Sequence, residues 1–88
     1  MKQALYKFSR YFKEFGIIEG TFIATAEEIK ELIGKEISIY DTLKVIVQEK
    51  DVILISDDQK LVDIILQYSL CNGFNPLFCV EEHDENGD

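Results

Sequence analysis

The sequence has little of what catalytic and metal sites require. Its 88 residues include one histidine, His83, and they contain neither a P-loop nor a GxGxxG motif. A catalytic nucleophile needs a base that is held rigidly beside it, and a histidine in an acidic terminal segment cannot provide one. We also interpret the acidic run around His83 as solvated charge, because metal sites need preorganised ligands. We therefore expect no enzyme, no cofactor and no metal site.

Cysteine is scarce as well. Cys71 and Cys79 lie eight residues apart, which is not the CxxC spacing of a zinc or redox site. The first residues are not followed by the apolar segment of a secretory signal, so a cytoplasmic location is expected. In a reducing cytoplasm both cysteines should be free thiols.

Basic residues are few. Nine bases stand against seventeen acids, which gives a net charge of −8 and disfavours binding to duplex nucleic acid or to a membrane surface. The longest uncharged run, residues 64–80, includes Gln67, Asn72, Gly73, Asn75 and Pro76, whereas a bilayer span needs about 20 mostly apolar residues. We expect a single domain over residues 1–80 and an acidic, flexible tail over 81–88. Self-association would help so small a core.

The few bases and the aromatic residues are unevenly placed. Residues 1–13 hold four bases and no acid, whereas residues 14–88 hold five bases and all seventeen acids. Six of the ten aromatic residues precede residue 23. A cationic, aromatic segment on an acidic body indicates either internal docking or a ligand.

The first half of the chain predicts two strands and a helix. Residues 5–12 are rich in Tyr and Phe, which favours a strand, although the apolar spacing also fits a helix. Gly16 would open a hairpin into a second strand over residues 17–25. Thr25 and Glu28 form a capping box, which predicts a helix that ends at Gly34.

The second half predicts three strands and another helix. Strands are expected at residues 36–40, 44–48 and 52–55, with the last two joined as a hairpin through residues 49–51. Ser56 and Gln59 fit a second capping box.

The helix after that box is apolar over most of its circumference between Leu61 and Leu70, so we expect it to be largely buried. Asn72 and Gly73 would stop it, and residues 77–80 could add an edge strand. The predicted fold is α+β: a small antiparallel sheet with two helices packed on one face, in the order ββαβββα.

The cationic, aromatic segment carries the candidate site. Aromatic rings stack on nucleobases, and cations bind phosphates through charge-assisted hydrogen bonds. The candidate ligand-binding residues are Tyr6, Lys7, Arg10, Tyr11 and Lys13. The alternative is structural: Phe8 and Phe12 belong to the core in either case, and the cations then merely keep an edge strand soluble.

Four motifs resemble those of a family of small phage-encoded proteins. They are Gly20-x-Phe22-Ile23-Ala24-Thr25-x-Glu27-Glu28-Ile29, Ile33-Gly34-Lys35-Glu36-Ile37, Ser56-Asp57-Asp58-Gln59 and Gly73-Phe74-Asn75-Pro76-Leu77. They consist mainly of capping boxes, core positions and turns. Residues 39–49 depart from the family's pattern, so no site is carried over there.

The resemblance implies a role in countering host immunity. One class of such phage proteins, the anti-CBASS sponges, sequesters a cyclic dinucleotide or oligonucleotide signal without hydrolysing it. We therefore expect a homo-oligomeric cyclic-nucleotide sponge in the host cytoplasm. The alternative is an acidic inhibitor, similar to a DNA mimic, that binds a host defence effector or nuclease through acids such as Glu27, Glu31, Asp57, Asp58 and Asp63.

Overall fold

A long hairpin forms the first half of the sheet. In the computed structural model, which describes residues 2–81, strand β1 (Gln3–Phe12) pairs antiparallel with β2 (Gly16–Thr25). This confirms the strand interpretation of residues 5–12. Side chains alternate between the two faces of a strand, and Phe8 and Phe22 lie fully buried on the same face.

The helix that follows begins as the sequence predicts. In α1 (Ala26–Leu32), the Thr25 hydroxyl accepts a hydrogen bond from the Glu28 amide at 3.1 Å. The Glu28 carboxylate in turn accepts one from the Thr25 amide at 2.8 Å. These two bonds satisfy amide groups that the first turn of a helix leaves without partners.

The remaining strands divide between two sheets. β3 (Glu36–Ile39) pairs with β4 (Leu43–Ile46) in a separate two-stranded sheet, whereas β5 (Val52–Ser56) pairs with β1. The predicted hairpin between the strands at 44–48 and 52–55 is therefore wrong. The connection Glu49–Asp51 is a turn of 3-10 helix that carries the chain from one sheet to the other.

One hydrophobic core lies between these elements. It combines residues of both sheets and of α1. Its buried members are Phe8, Phe12, Ile18, Phe22, Ala24, Leu32, Ile37, Ile39 and Val47. The separate small sheet thus closes one face of the larger one.

The second helix differs from its prediction at both ends. The N-cap of α2 (Gln59–Tyr68) is Asp58, whose carboxylate accepts from the Lys60 amide at 3.0 Å. Ser56 is not the cap, so the predicted second capping box is wrong. The Ser56 hydroxyl instead accepts a hydrogen bond from the Asp58 amide at 3.1 Å. The helix ends before Asn72, with Ser69 in the left-handed conformation at φ 54°.

The prediction that this helix is largely buried is also wrong. Of its ten residues, all of them described, Val62 and Ile65 are buried. These two lie outside the core cluster to which Leu32 of α1 belongs, so the two helices bury their side chains at different places. The remaining apolar residues of α2 face solvent in this single chain.

The segment after α2 covers the outer edge of β2. The Thr21 amide donates to the Asn72 carbonyl at 2.9 Å, and the Phe74 amide donates to the Glu19 carbonyl at 3.1 Å. Gly20 and Gly73 meet where the two segments cross, and a Cβ on Gly20 would collide with the backbone N and O of Phe74. Only glycine fits this crossing.

A short helical turn follows the crossing. Residues Pro76–Cys79 form a 3-10 helix and not the edge strand expected at 77–80, although Val80 bridges Ile37. The tail predicted at 81–88 lies outside the described residues except for Glu81, whose amide donates to the Glu36 carbonyl at 2.8 Å.

The chain is a small α+β protein with the predicted element order. No helix between residues 2 and 81 is long and apolar enough to span a bilayer.

The glycine crossing can be tested by substitution. We expect Gly20→Ala to lower the free energy of unfolding by about 3 kcal/mol, because neither backbone can move aside. Gly16→Ala is the control, since its Cβ would meet no atom within 4 Å and the substitution only strains a φ of 77°. It should cost about 1 kcal/mol. Equal losses in urea titrations would contradict this interpretation of the crossing.

Candidate functional site

The far end of β1 has a strand on one side and a helical turn on the other. β5 pairs with β1 from Leu5 to Phe8, so Ser9 and the residues after it pair with β2 alone. The 3-10 turn Glu49–Asp51 fills the place where β5 would continue. This change of neighbour leaves a depression beside β1.

A buried carboxylate organises the depression. Asp51 is 2% exposed and is the only buried charged residue in the described part of the chain. Its Oδ2 accepts from the Gln48 amide at 2.9 Å and from Arg10 Nη1 at 3.1 Å. Arg10 Nη1 also donates to the Ile46 carbonyl at 2.7 Å. The guanidinium carbon lies 5.6 Å from the centre of the Phe12 ring, within the range of a cation–π contact.

Around this ion pair lies an open cavity of about 390 Å³, here called the β1 cavity. Its lining residues are Ser9, Arg10, Tyr11, Lys50 and Asp51. The Tyr11 side chain is 70% exposed, so its ring is available for stacking. Lys50 is exposed and forms no ion pair with another residue of the described chain. The cavity therefore combines an aromatic face with an unneutralised cation.

The structure brings together two of the five predicted ligand-binding residues. Arg10 and Tyr11 line the β1 cavity, whereas Tyr6 is half-buried and stacks on Phe22 with ring centres 6.0 Å apart. Lys7 forms a salt bridge with Glu19 of the neighbouring strand, with Nζ and Oε1 3.3 Å apart. Lys13 is exposed in the turn between β1 and β2.

Sequence reasoning missed Lys50 and Asp51. Both lie some forty residues from Arg10 along the chain, in a segment that was interpreted as an ordinary hairpin connection. No local pattern indicates that this turn packs against β1. Asp51 can be identified as part of the site only once its pairing with Arg10 is known.

An aromatic cluster lies at the end of the two hairpins. Phe15 and Tyr40 meet edge to face with ring centres 5.5 Å apart. Tyr40 and Asp41 are both left-handed, at φ 51° and 61°, which costs on the order of 1–3 kcal/mol for each non-glycine residue. Tyr40 also lines a cavity of about 420 Å³ with Phe74 and Ile17. No lysine or arginine lines this second cavity, which distinguishes it from the β1 cavity.

The acids considered for protein binding are divided among different roles. Glu27 and Glu31 line an open groove of about 460 Å³ together with Glu28. Asp57 pairs with Lys2, with the charged atoms 3.7 Å apart, and Asp58 caps α2. Asp63 is exposed on α2. Within this acidic set, Glu27 and Glu31 thus share one groove, beside α1.

Both cysteines are free thiols, as expected from the sequence. Burial raises the pKa of Cys71, partly offset by hydrogen bonds to the backbone of Ile23 and to the Thr21 side chain. Burial also raises the pKa of Cys79, and the nearby Asp41 carboxylate adds to that increase. Neither is an activated nucleophile. Within residues 2–81 no group of three or more metal-ligating side chains comes together.

Comparisons of the chain with models of protein families, with curated proteins and with solved structures found no match.

The Arg10–Asp51 pair should be energetically coupled. We expect Arg10→Met and Asp51→Asn each to lower the free energy of unfolding by about 3 kcal/mol, because either change leaves the other group without its charged partner. The double variant should lose clearly less than the sum of the two.

The exposed Lys7–Glu19 pair on the same sheet is the control. The same cycle with Lys7→Met and Glu19→Gln should show coupling below about 0.5 kcal/mol. Additive losses for Arg10 and Asp51 in urea titrations would contradict the coupling.

The raised thiol pKa values predict slow alkylation. At mildly alkaline pH both cysteines should react with iodoacetamide more slowly than a cysteine in a model peptide, because a smaller fraction is thiolate. The rate should reach its half-maximum at a higher pH than in the peptide. Single Cys71→Ser and Cys79→Ser variants separate the two rates by mass spectrometry. Peptide-like rates would contradict the burial of both thiols.

Proposed function

We propose that this protein is a non-enzymatic sponge that binds and sequesters a cyclic nucleotide immune signal, in the manner of a phage counter-defence protein. The observation that carries the proposal is the β1 cavity, in which Tyr11, Arg10 and Lys50 lie together. A nucleobase would stack on the Tyr11 ring while a phosphate approaches the cations. In this proposal the ligand is bound without being hydrolysed.

The two cations contribute differently to this proposal. Asp51 already neutralises part of the charge of Arg10 and fixes the direction of its guanidinium. Lys50 has no such partner in the described chain, so it is the stronger phosphate ligand. Lys13, in the turn that follows β1, adds positive charge near the same end of the strand. Without these cations, the acidic remainder of the protein would repel an anionic ligand.

Magnitudes favour an oligomer as part of the proposal. Nanomolar binding corresponds to about 12 kcal/mol, whereas stacking supplies about 1–3 kcal/mol per base and a charged hydrogen bond about 1.5–3 kcal/mol. One open cavity on a single chain supplies little beyond the cost of association. A homo-oligomer, which would enclose the ligand further, is therefore included.

A second candidate function rests on the groove beside α1. Glu27, Glu28 and Glu31 line it, and a basic surface of a host effector or nuclease would complement these acids. In this alternative the protein is an acidic inhibitor and needs neither Tyr11 nor Lys50. Its binding would weaken strongly with added salt.

A thermal-shift titration against cyclic and linear nucleotides tests the proposal. At 100 times its Kd a ligand adds about 2.7 kcal/mol to the stability, and each kcal/mol moves the Tm of so small a domain by about 4–8 °C. Tyr11→Ala and Lys50→Ala should each weaken binding by about tenfold or more, through lost stacking and a lost charged contact.

Lys60→Ala, which removes an exposed lysine outside the cavity, is the matched control and should bind as the parent does. If no nucleotide raises the Tm, or if Lys60→Ala weakens binding as much as Lys50→Ala does, the sponge proposal fails. The acidic inhibitor would then be supported if the double variant Glu27→Lys, Glu31→Lys lost binding to a host effector while Tyr11→Ala retained it.

A further inference from the structure

The two edges of the three-stranded sheet are treated differently. Residues 72–74 cover the outer edge of β2 through backbone hydrogen bonds. β5 forms the other edge, and within residues 2–81 no segment pairs with its outer side. A strand that pairs on one side only presents alternate N–H and C=O groups that can accept another strand.

This open edge is apolar. β5 reads Val-Ile-Leu-Ile-Ser, and Ile53, Leu54 and Ile55 are each about half exposed. Exposed edge strands usually carry a lysine, a proline or a bulge on the free side, which prevents them from pairing. β5 contains neither lysine nor proline. Its pairing with β1 is irregular at one place, where Ser56 lies opposite Leu5 and Leu54 opposite Tyr6, so Ile55 is skipped. Val52, Ile53 and Leu54 pair in regular register. An uncovered edge of this composition would be an aggregation site, unless a specific partner covers it.

The helix that follows carries further exposed apolar side chains. Leu61, Ile64 and Tyr68 recur at spacings of three and four residues, so they form one stripe along α2, next to the buried Val62 and Ile65. Their exposed fractions are 37%, 47% and 64%. We call the exposed side chains of Ile53, Leu54, Ile55, Leu61, Ile64 and Tyr68 the β5–α2 surface.

We infer that a second copy of this chain docks on the β5–α2 surface, pairing β5 with its equivalent as antiparallel strands about a two-fold axis. Antiparallel pairing of a strand with itself is self-complementary, so one surface serves both subunits. The two three-stranded sheets then join into one sheet of six strands, and the stripes of α2 are buried at the same interface.

Area and charge both fit this occupant. A stable interface buries about 800 Å² per partner, and six large side chains with about half of their surfaces exposed, together with the strand edge, provide an area of that order. The β5 segment itself is uncharged, so pairing brings no like charges face to face. The chain's own residues 82–88 are unsuited to cover it, because they contain four acids and no large apolar side chain.

This dimer is independent of the ligand and is not the enclosing oligomer of the proposed sponge, which would need a further contact beside the β1 cavity. Lys50 precedes β5, so antiparallel pairing places the two β1 cavities at opposite ends of the joined strands. Each cavity then serves its own ligand, and a nucleotide that binds should do so at one per chain.

Light scattering coupled to size exclusion, without nucleotide, tests the interface. The parent chain should have the mass of a dimer over the micromolar range, and the dimer should persist at about 0.5 M salt, because its contacts are apolar. Ile53→Lys and Ile64→Lys should each raise the dimer Kd by at least about 30-fold, since each buries an unpaired charge. Phe78→Lys is the control: it charges the 87% exposed Phe78, which lies outside the surface, and should leave the Kd unchanged.

Circular dichroism and thermal melts show whether each variant is folded, and hydrogen exchange on the parent chain provides a measurement that needs no variant. The outward amides of β5 should be protected at high concentration and lose that protection on dilution. A monomeric parent, a dimer that tolerates both lysines, or β5 amides that exchange equally at all concentrations would each overturn the inference. Since nucleotide is absent, these outcomes are separate from success or failure of the sponge titration.

Discussion

The ion pair between Arg10 and Asp51 determines how the second half of the chain joins the first. One carboxylate, almost fully buried, binds the guanidinium of β1 and the amide of Gln48, while Arg10 also holds the Ile46 carbonyl at the end of β4. The chain leaves the small sheet at this point, turns through Glu49–Asp51 and enters the large sheet as β5. A buried charge without its partner would cost several kcal/mol, so this turn has one strongly favoured position. The direction of β5, and the place where its pairing with β1 stops, depend on it.

The same contact creates the candidate site. Because the turn replaces β5 beside Ser9, the end of β1 faces a cavity and not a strand. The turn also delivers Lys50 to that cavity, next to Tyr11. Arg10 thus stabilises the fold and lines the site at once, and substitution of Arg10 would confuse the two roles. Tyr11 and Lys50 are the residues at which binding can be separated from stability, because both are exposed.

Exposed apolar surface is concentrated where the sheet is open. The chain covers the β2 edge with its own backbone at the Gly20–Gly73 crossing, and it leaves β5 and the stripe of α2 uncovered. A domain of this size buries only about 60% of its unfolded surface, so a second copy would complete a core that one chain leaves unfinished. In the inferred dimer, the acidic remainder of the surface would disfavour contacts elsewhere, since chains of net charge −8 repel one another.

The features that could be predicted from the sequence are those that depend on near neighbours. The Thr25–Glu28 capping box, the positive φ of Gly16 and the alternation that buries Phe8 and Phe12 are all local, because the atoms that interact are a few residues apart. Of the predicted site residues, Arg10 and Tyr11 line the cavity. They could be singled out because the strand that carries them is visibly cationic and aromatic in the sequence. Three features could not be predicted: residues 44–48 and 52–55 belong to different sheets, α2 keeps most of its apolar surface exposed, and Lys50 lies beside Tyr11. Each of these features depends on contacts between segments far apart in the chain. The apolar pattern of a helix indicates that its surface will be buried, but it does not indicate whether the same chain or another one buries it.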